Sequence, residues 1–598
     1  NCAVRVVSGQ VDCENPGVLS QAEIDQGFVP TCRTTVHESD VVIDVPDQAG
    51  RFGGQFSDDD GMALVDPALL PSLRDNLPLT EKIYVHVTAP QKADGLSDLD
   101  RLTRALQQKL GKDEISYPLT IIRQIADALR AANGNVTVTV VKDSQTKGIS
   151  PERLPSICGR YGVTAIESND QTSRHYGIAV DVGTTTVALQ LVDLTNMKVI
   201  SKFTDYNGQL ACGLDIISRI DYAKRPDRRE ELRSRVLRTI NRLIRQSSHR
   251  GHVEYSEISC AVISGNTTMI HLLLGLNPEH IRLDPYTPTV LGSPLLTASD
   301  VGIDINQPAP VTISPAVGSY VGGDITAGIL CTDLANNCDD VCLFIDIGTN
   351  GEVVIGNREF LLTCACSAGP AFEGGGIKCG MRAATGAIEK VVVDPATGLA
   401  SYQTIGQVRP RGICGSGMIS LLSQLLQTGW IDAAGKLNRS KLSGAIQIEG
   451  RQAAYTLVSE KESATGRAIT IDEQDIENII RAKAALYAAC ALMLAQAGME
   501  FHDLRKVYIA GGFGRFLDLD AAITIGLLPN LPRERFHFIG NASLTGSYMV
   551  LVSERHRQKQ RDQARRMTYM ELSTTPAYMD QYTAALFLPH TNPTQFHS

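Results

Sequence analysis

Tyr176-Gly-Ile-Ala-Val-Asp-Val-Gly-Thr-Thr-Thr-Val-Ala-Leu-Gln-Leu-Val-Asp193 decides the fold, because the chain writes the same pattern again at Cys342-Leu-Phe-Ile-Asp-Ile-Gly-Thr-Asn-Gly-Glu-Val-Val-Ile355. In each stretch an apolar strand runs into Asp-x-Gly-Thr and a second apolar strand runs out. One copy describes a hairpin. Two copies point to two related half-domains facing each other across a cleft for nucleotide phosphates.

The chemistry of the turns supports that cleft. Gly183 and Gly348 can take positive φ and let backbone approach a ligand with no Cβ in the way. Successive N–H groups in such a turn make an anion-binding concavity. Thr184, Thr185, Thr186 and Thr349 add hydroxyl donors. Asp181 and Asp346 end their strands pointing at the same place, and Mg²⁺ favours one or two carboxylates plus waters and phosphate oxygens. A third element follows at Val507-Tyr-Ile-Ala-Gly-Gly-Phe-Gly-Arg515, a strand entering a glycine turn suited to a flat adenine ring. Gly415-Ser-Gly417 precedes a helical run and is a further candidate for nucleotide contact at a helix start.

This order of phosphate turn, second phosphate turn and adenosine glycines resembles the actin, hexokinase, acetate-kinase and heat-shock-ATPase superfamily. The resemblance implies an α/β fold of two ribonuclease-H-like lobes closing over ATP. It leaves the reaction open, since kinases, motors and filaments share the fold.

Bulk properties narrow the class. A chain of 598 residues is too long for one core and implies several domains. A net charge of −9 argues against a general nucleic-acid binder. The Ala-rich apolar run at 484–495 is shorter than the roughly 18 residues a membrane span needs, so it reads as a buried helix and no membrane partner is expected. No secretory signal is visible, and fourteen cysteines without one fit a reducing compartment, the cytoplasm. The basic helical stretches 228–245 and 555–566 read as solvated faces of amphipathic helices.

Residues 1–46 alternate like a small β-rich unit, 47–80 reads as linker, and 81–172 holds strand and helix patterns of a small α/β middle domain. Helical spacing is predicted at 96–110 and 119–131, and strands at 82–88 and 135–141. From 173 to 598 the α/β pattern continues as the two-lobed domain.

No Cys-x-x-Cys occurs, so Cys364 and Cys366 read as buried thiols rather than zinc ligands. Cys2 and Cys32 differ. Plant-type [2Fe–2S] domains use Cys-x4-Cys-x2-Cys and a distant fourth cysteine. Cys2 with the strand after it looks like a third ligand, and the run 19–32 like the approach to a fourth. The chain opens at Asn1-Cys2, and the first two ligands are expected upstream of it. Cys13 does not fit the spacing.

A ferredoxin-like start, a linker, a small α/β domain and the ATPase-like region together resemble the reductive activators of corrinoid proteins. The match spans almost the whole chain and includes Gly213-Leu-Asp-Ile-Ile-Ser-Arg-Ile220, Ser264-Gly-Asn-Thr-Thr-Met269, Gly322-Gly-Asp324, Ser367-Ala-Gly-Pro-Ala-Phe-Glu-Gly374, Gly380-Met-Arg-Ala383 and Gly412-Ile-Cys-Gly-Ser-Gly417. The resemblance implies ATP-dependent return of an inactive Co(II) corrinoid protein of a methyltransferase system to Co(I), with electrons from a low-potential donor and a homodimer as the family state. It assigns Asp181 and Asp346 to Mg²⁺. Gly183, Thr184, Thr185 and Thr186 bind phosphate, faced by Gly348, Thr349, Asn350 and Gly351. Gly511, Gly512 and Gly514 lie against adenosine, with Gly323, Asp324, Gly415, Ser416 and Gly417 as further cleft residues. Cys2 and Cys32 hold a [2Fe–2S] cluster. A small-molecule kinase and a nucleotide-dependent scaffold are the alternatives on this fold, and no base for a kinase is identifiable.

Overall fold

The computed structural model describes residues 3–9, 11–13, 27–30, 34–36, 41–44, 64–92, 94–111, 114–142, 161–292, 296–336, 338–441, 445–449, 452–511, 517–592 and 596. Two compact units result, Asn1–Ser57 and Asp58–Ser598. In the first, strand Ala3–Ser8 lies between Phe28–Pro30 and Val42–Asp44, antiparallel to both, and Val11–Cys13 pairs with Thr34–Val36. Cys2 and Cys32 lie outside the described residues.

The large unit is built on two sheets with one plan. In the first lobe, Tyr176–Val182 pairs antiparallel with Thr186–Asp193, which pairs antiparallel with Lys198–Tyr206. On its other side Tyr176–Val182 runs parallel to Ile258–Gly265, and that strand parallel to Pro310–Ile313. The second lobe repeats the order. Cys342–Ile347 pairs antiparallel with Gly351–Gly356, then Leu361–Cys366, and parallel with Lys506–Ala510, then Phe536–Gly540. This is the ribonuclease-H-like arrangement expected from the repeated turn. The central strands are apolar throughout because both faces are covered, with Ile178, Val180, Leu343 and Phe344 fully buried.

Two helices join the lobes. Gly323–Gly328 follows the last parallel strand of the first lobe, and Ala542–Val552 follows that of the second. Ala542–Val552 is buried along its entire length and packs on the first lobe's strands Tyr176–Val182 and Ile258–Gly265. It also packs on Gly323–Gly328, where a Cβ on Gly546 would stand 2.0 Å from the Ala327 carbonyl oxygen.

The middle segment forms a four-stranded sheet of Thr80–His86, Asn135–Lys142, Tyr161–Ser168 and Ile115–Ser116. Helices Asp98–Leu110 and Leu119–Ala131 bury Leu102, Leu106, Ile121 and Ile125 against it. Ser97 caps the first of these, its hydroxyl accepting from the Asp100 N–H at 3.1 Å. Within the expected linker the described residues begin at 64 and pack: Val65 and Leu69 join the core between the lobes.

The apolar run at 484–495 lies in helix Glu473–Gln496, the one described helix long and apolar enough to cross a membrane; most of that stretch is buried inside the second lobe. The basic helix Pro226–Gly251 buries Leu232, Val236, Ile240, Leu243 and Ile244 and turns arginines outward, as expected. Glu554–Arg566 departs from a solvated face at Arg557. That guanidinium is buried because it donates to the carbonyls of Val550, Leu551 and Leu77, closing the end of the preceding helix and holding the 64–79 segment.

Gly546→Ala is expected to cost about 1–3 kcal/mol, because the added methyl forces the two joining helices apart. Thermal unfolding measures it; an unchanged midpoint would show that the helices tolerate a wider spacing.

Candidate nucleotide site

The shared plan brings the two turns together at the ends of their central strands. Thr185 Oγ1 and Thr349 Oγ1 stand 3.1 Å apart. The first turn closes on itself, with the Gly183 N–H donating to the Thr186 carbonyl at 2.9 Å. Asn207 ties it from the neighbouring strand end, its Nδ2 donating to the Gly183 carbonyl at 2.9 Å. In the second turn the Gly348 N–H donates to the Asn350 carbonyl at 3.0 Å. Neither Gly183 nor Gly348 takes positive φ. Gly183 is needed for space instead, since a Cβ there would lie 2.8 Å from the Thr186 carbonyl oxygen. Thr184, Thr185, Gly348 and Asn350 keep some exposure to the cleft, while Thr186 and Gly351 open the outgoing strands.

Gly511 adjoins the second turn because Ala510 pairs with Asp346 in parallel register. It has φ of +104°, and a Cβ there would stand 2.4 Å from the Ile347 carbonyl oxygen, so glycine is required on both counts. Gly512 and Gly514 lie outside the described residues. Gly415, Ser416 and Gly417 open helix Gly415–Gln427 and are buried. Gly415 sits against the Phe372 carbonyl, where a Cβ would come within 2.1 Å. Gly415 therefore braces the turn Pro370–Glu373.

Glu373 was not picked out by sequence reasoning, and it joins the two turns. Its Oε2 accepts from Thr185 Oγ1 and from Thr349 Oγ1, each at 3.1 Å, and from Arg382 Nη2 at 3.2 Å. Arg382 in turn lies 4.9 Å above the Tyr206 ring of the first lobe. Both residues fall within glycine-rich motifs of the sequence, but their partners are remote in the chain, and only the fold pairs them. Asn541 and Ser543 were missed for the same reason. They begin the joining helix Ala542–Val552 and donate to Asp181, Asn541 Nδ2 at 2.9 Å and Ser543 Oγ at 2.7 Å. Asp181 thus sits at that helix's N-terminus, where backbone dipoles favour an anion.

A group of carboxylates lines the cleft floor. Asp324 begins the other joining helix, and burial together with the Asp346 and Asp181 charges pushes its pKa up to about 8. Burial, Asp181 and Glu373 push Asp346 up to about 7. Glu352 is raised well above the usual range by burial and by Asp324 and Asp346. Burial also raises Asp181, opposed by the donors Asn541 and Ser543. Like charges held out of water favour a cation between them. Among the described residues no three such side chains are close enough to cage a metal. That donor set suits Mg²⁺, which keeps several waters and takes further oxygens from a bound phosphate.

Beside the first turn, Ser264 to Thr268 form the end of strand Ile258–Gly265 and the start of a short helix, with Ser264 Oγ 2.6 Å from both Ser314 Oγ and Ser547 Oγ. His271 follows on that helix and is fully buried. Its Nδ1 faces the Thr267 carbonyl at 2.7 Å, and its Nε2 faces the Thr289 N–H at 3.0 Å. That arrangement needs a neutral ring with the proton on Nδ1. The imidazole pins the loop 286–292 over a small cavity lined by Gly265, Ser314 and Gly323.

Three family models match the chain in succession. The RACo linker region covers residues 75–172, the RACo middle region 176–337, and the C-terminal domain of RACo, the ASKHA domain, 340–598. Corrinoid activation enzyme RamQ of Eubacterium limosum is 34% identical over 440 residues, 72% of this chain and 73% of that protein. The [Co(II) methylated amine-specific corrinoid protein] reductase of Methanosarcina barkeri is 25% identical over 449 residues, 69% of this chain and 76% of that one. A solved structure of a reductive activator for corrinoid, iron-sulfur protein superposes with a TM-score of 0.78 at 42% identity, covering 100% of this chain and 93% of its own.

Burial holds the His271 pKa below its ordinary 6.5. Below that value the unfolded chain takes the proton first, so the stability His271 contributes is intact above pH 6.5 and is lost as pH falls through the folded value. Urea unfolding between pH 7 and 5 is expected to show a slope of up to about 1.4 kcal/mol per pH unit from this group. His271→Gln lacks that share; parallel pH profiles for the two proteins would contradict the loop-pinning role.

Proposed function

We propose, from the premise that this chain belongs to the RACo family of corrinoid activators, that it is an ATP-dependent reductive activator returning an inactive Co(II) corrinoid protein to Co(I). The observation that carries this reading is the meeting of the two Asp-Gly-Thr turns. Two phosphate-type turns with hydroxyls 3.1 Å apart form one site from both lobes. A ligand bound there interacts with the angle between the lobes.

Gly183, Thr184, Thr185 and Thr186 hold phosphate on one side, and Gly348, Thr349, Asn350 and Gly351 on the other. Gly511 borders the adenosine, and Gly512 and Gly514 of the same glycine run are assigned to it from the sequence. Asp181 and Asp346 would hold Mg²⁺, with Asp324 close enough to feel both charges. The metal would supply positive charge to offset the phosphate chain and the crowded carboxylates.

The thermodynamic task explains why such a site belongs on an electron-transfer protein. Each ~59 mV of unfavourable potential costs about tenfold in a one-electron equilibrium. ATP offsets such a step only if it binds two conformations with different affinity. A nucleotide gripped by both lobes meets that condition, because opening the lobes breaks half of its contacts. Cys2 and Cys32, with further ligands, would hold a [2Fe–2S] cluster, which would supply one-electron transfer from a low-potential donor. Those two cysteines lie outside the described residues, so the geometry of the large unit bears on the ATP half of the reaction only.

The test uses the full-length protein, a chemical reductant, Mg-ATP and a corrinoid protein poised as Co(II). Absorbance is expected to report Co(I) only when ATP is present, and a rate independent of ATP would refute the proposal. Asp346→Asn is expected to lower that rate by about 10–100-fold through weakened metal and nucleotide binding. Full activity in that variant would move the metal elsewhere.

A further inference from the structure

We propose that Glu373 stands in for the terminal phosphate of the nucleotide, closing the cleft between turnovers and competing with a triphosphate but not with a diphosphate. This inference rests on the reading of the cleft as an ATP site. Glu373 makes the contacts a phosphate oxygen makes. One oxygen accepts from hydroxyls of both turns, at 3.1 Å each, and from an arginine at 3.2 Å. The other lies over Gly348, where a Cβ would have only the Asn350 carbonyl at 3.7 Å and Glu373 Oε1 at 3.8 Å near it. The protein's own carboxylate therefore borders the open space above the second turn.

A second observation identifies what is still lacking. Arg382 Nη1 is buried and has no hydrogen-bond partner among the described residues, while Nη2 is spent on Glu373. An arginine with one arm on a carboxylate and the other unpaired matches a group with more acceptor oxygens than a carboxylate has. A phosphoryl group has three, and arginine forks favour it. Stacking on Tyr206 fixes the guanidinium, so it does not need to move when the ligand changes.

The exchange is non-covalent. A triphosphate reaching both threonines takes the three donors from Glu373, and charge repulsion moves the carboxylate away. A diphosphate that stops short leaves Glu373 in place and the two turns bridged by it. The protein thereby distinguishes loaded from spent nucleotide at the point where the lobes meet.

Calorimetry on the full-length chain with Mg²⁺ tests this, using the β,γ-imido analogue of ATP and, separately, ADP. Glu373→Ala removes the competitor and is expected to tighten the analogue about tenfold, roughly one charge-assisted hydrogen bond, with ADP unchanged within about twofold. Glu373→Asp keeps the charge but shortens the reach, and is expected to shift the analogue in the same direction. Should Glu373→Ala unfold, Glu373→Asp carries the test alone. Equal shifts for both nucleotides, no shift, or weaker analogue binding overturn the stand-in role and leave the ATP site intact. Wild-type protein that binds neither nucleotide overturns the site itself, and this inference with it.

Discussion

The distance between the two lobes is set where two short helices touch without a side chain between them. Gly546 lies so close to the Ala327 carbonyl that a Cβ would overlap it at 2.0 Å. Each helix emerges from one lobe and packs toward the other, so this contact fixes the spacing of the two sheets. Everything at the cleft inherits that spacing. Asn541 and Ser543 reach Asp181 because their helix starts where it does, and Asp324 comes near Asp346 because its helix mirrors the first.

Electrostatics at the cleft opposes the packing that creates it. Burial raises the pKa values of Asp181, Asp324, Asp346 and Glu352, and each charge worsens its neighbours' position. A structure evolved for stability alone has no use for such a group. Carboxylates with raised pKa values crowded in a cleft are a mark of functional sites. Glu373 and Arg382 belong to the same design from the other side. Glu373, paired with Arg382, holds the two turns together through Thr185 and Thr349.

The fold was largely legible in the chain because its signals are local. Apolar runs into and out of each Asp-x-Gly-Thr defined four strands, and helical spacing placed the middle-domain helices within a residue or two of Asp98–Leu110 and Leu119–Ala131. The site was legible in part. Thr185 and Thr349 carry their role in their own motifs, whereas Glu373 is one acidic residue in a glycine-rich run. Its role exists only through Thr185, Thr349 and Arg382. The basic stretch ending at Arg566 shows the same limit, since the pattern predicts a solvated face and cannot reveal that Arg557 finds three carbonyls in the interior.

By itself the amino-acid sequence determined the duplicated strand–turn–strand units, the class of ligand such turns hold and the family that arranges them in this order. Those properties depend on residues a few positions apart, which chain geometry keeps together wherever the segment goes. Tertiary structure alone decided which lobe supplies the partner of each carboxylate, how far burial raises its pKa, and that a glutamate lies between the two threonines. Such properties depend on residues far apart in the chain, and a hydrogen bond of about 3 Å has no meaning until packing has set the distance across which it forms.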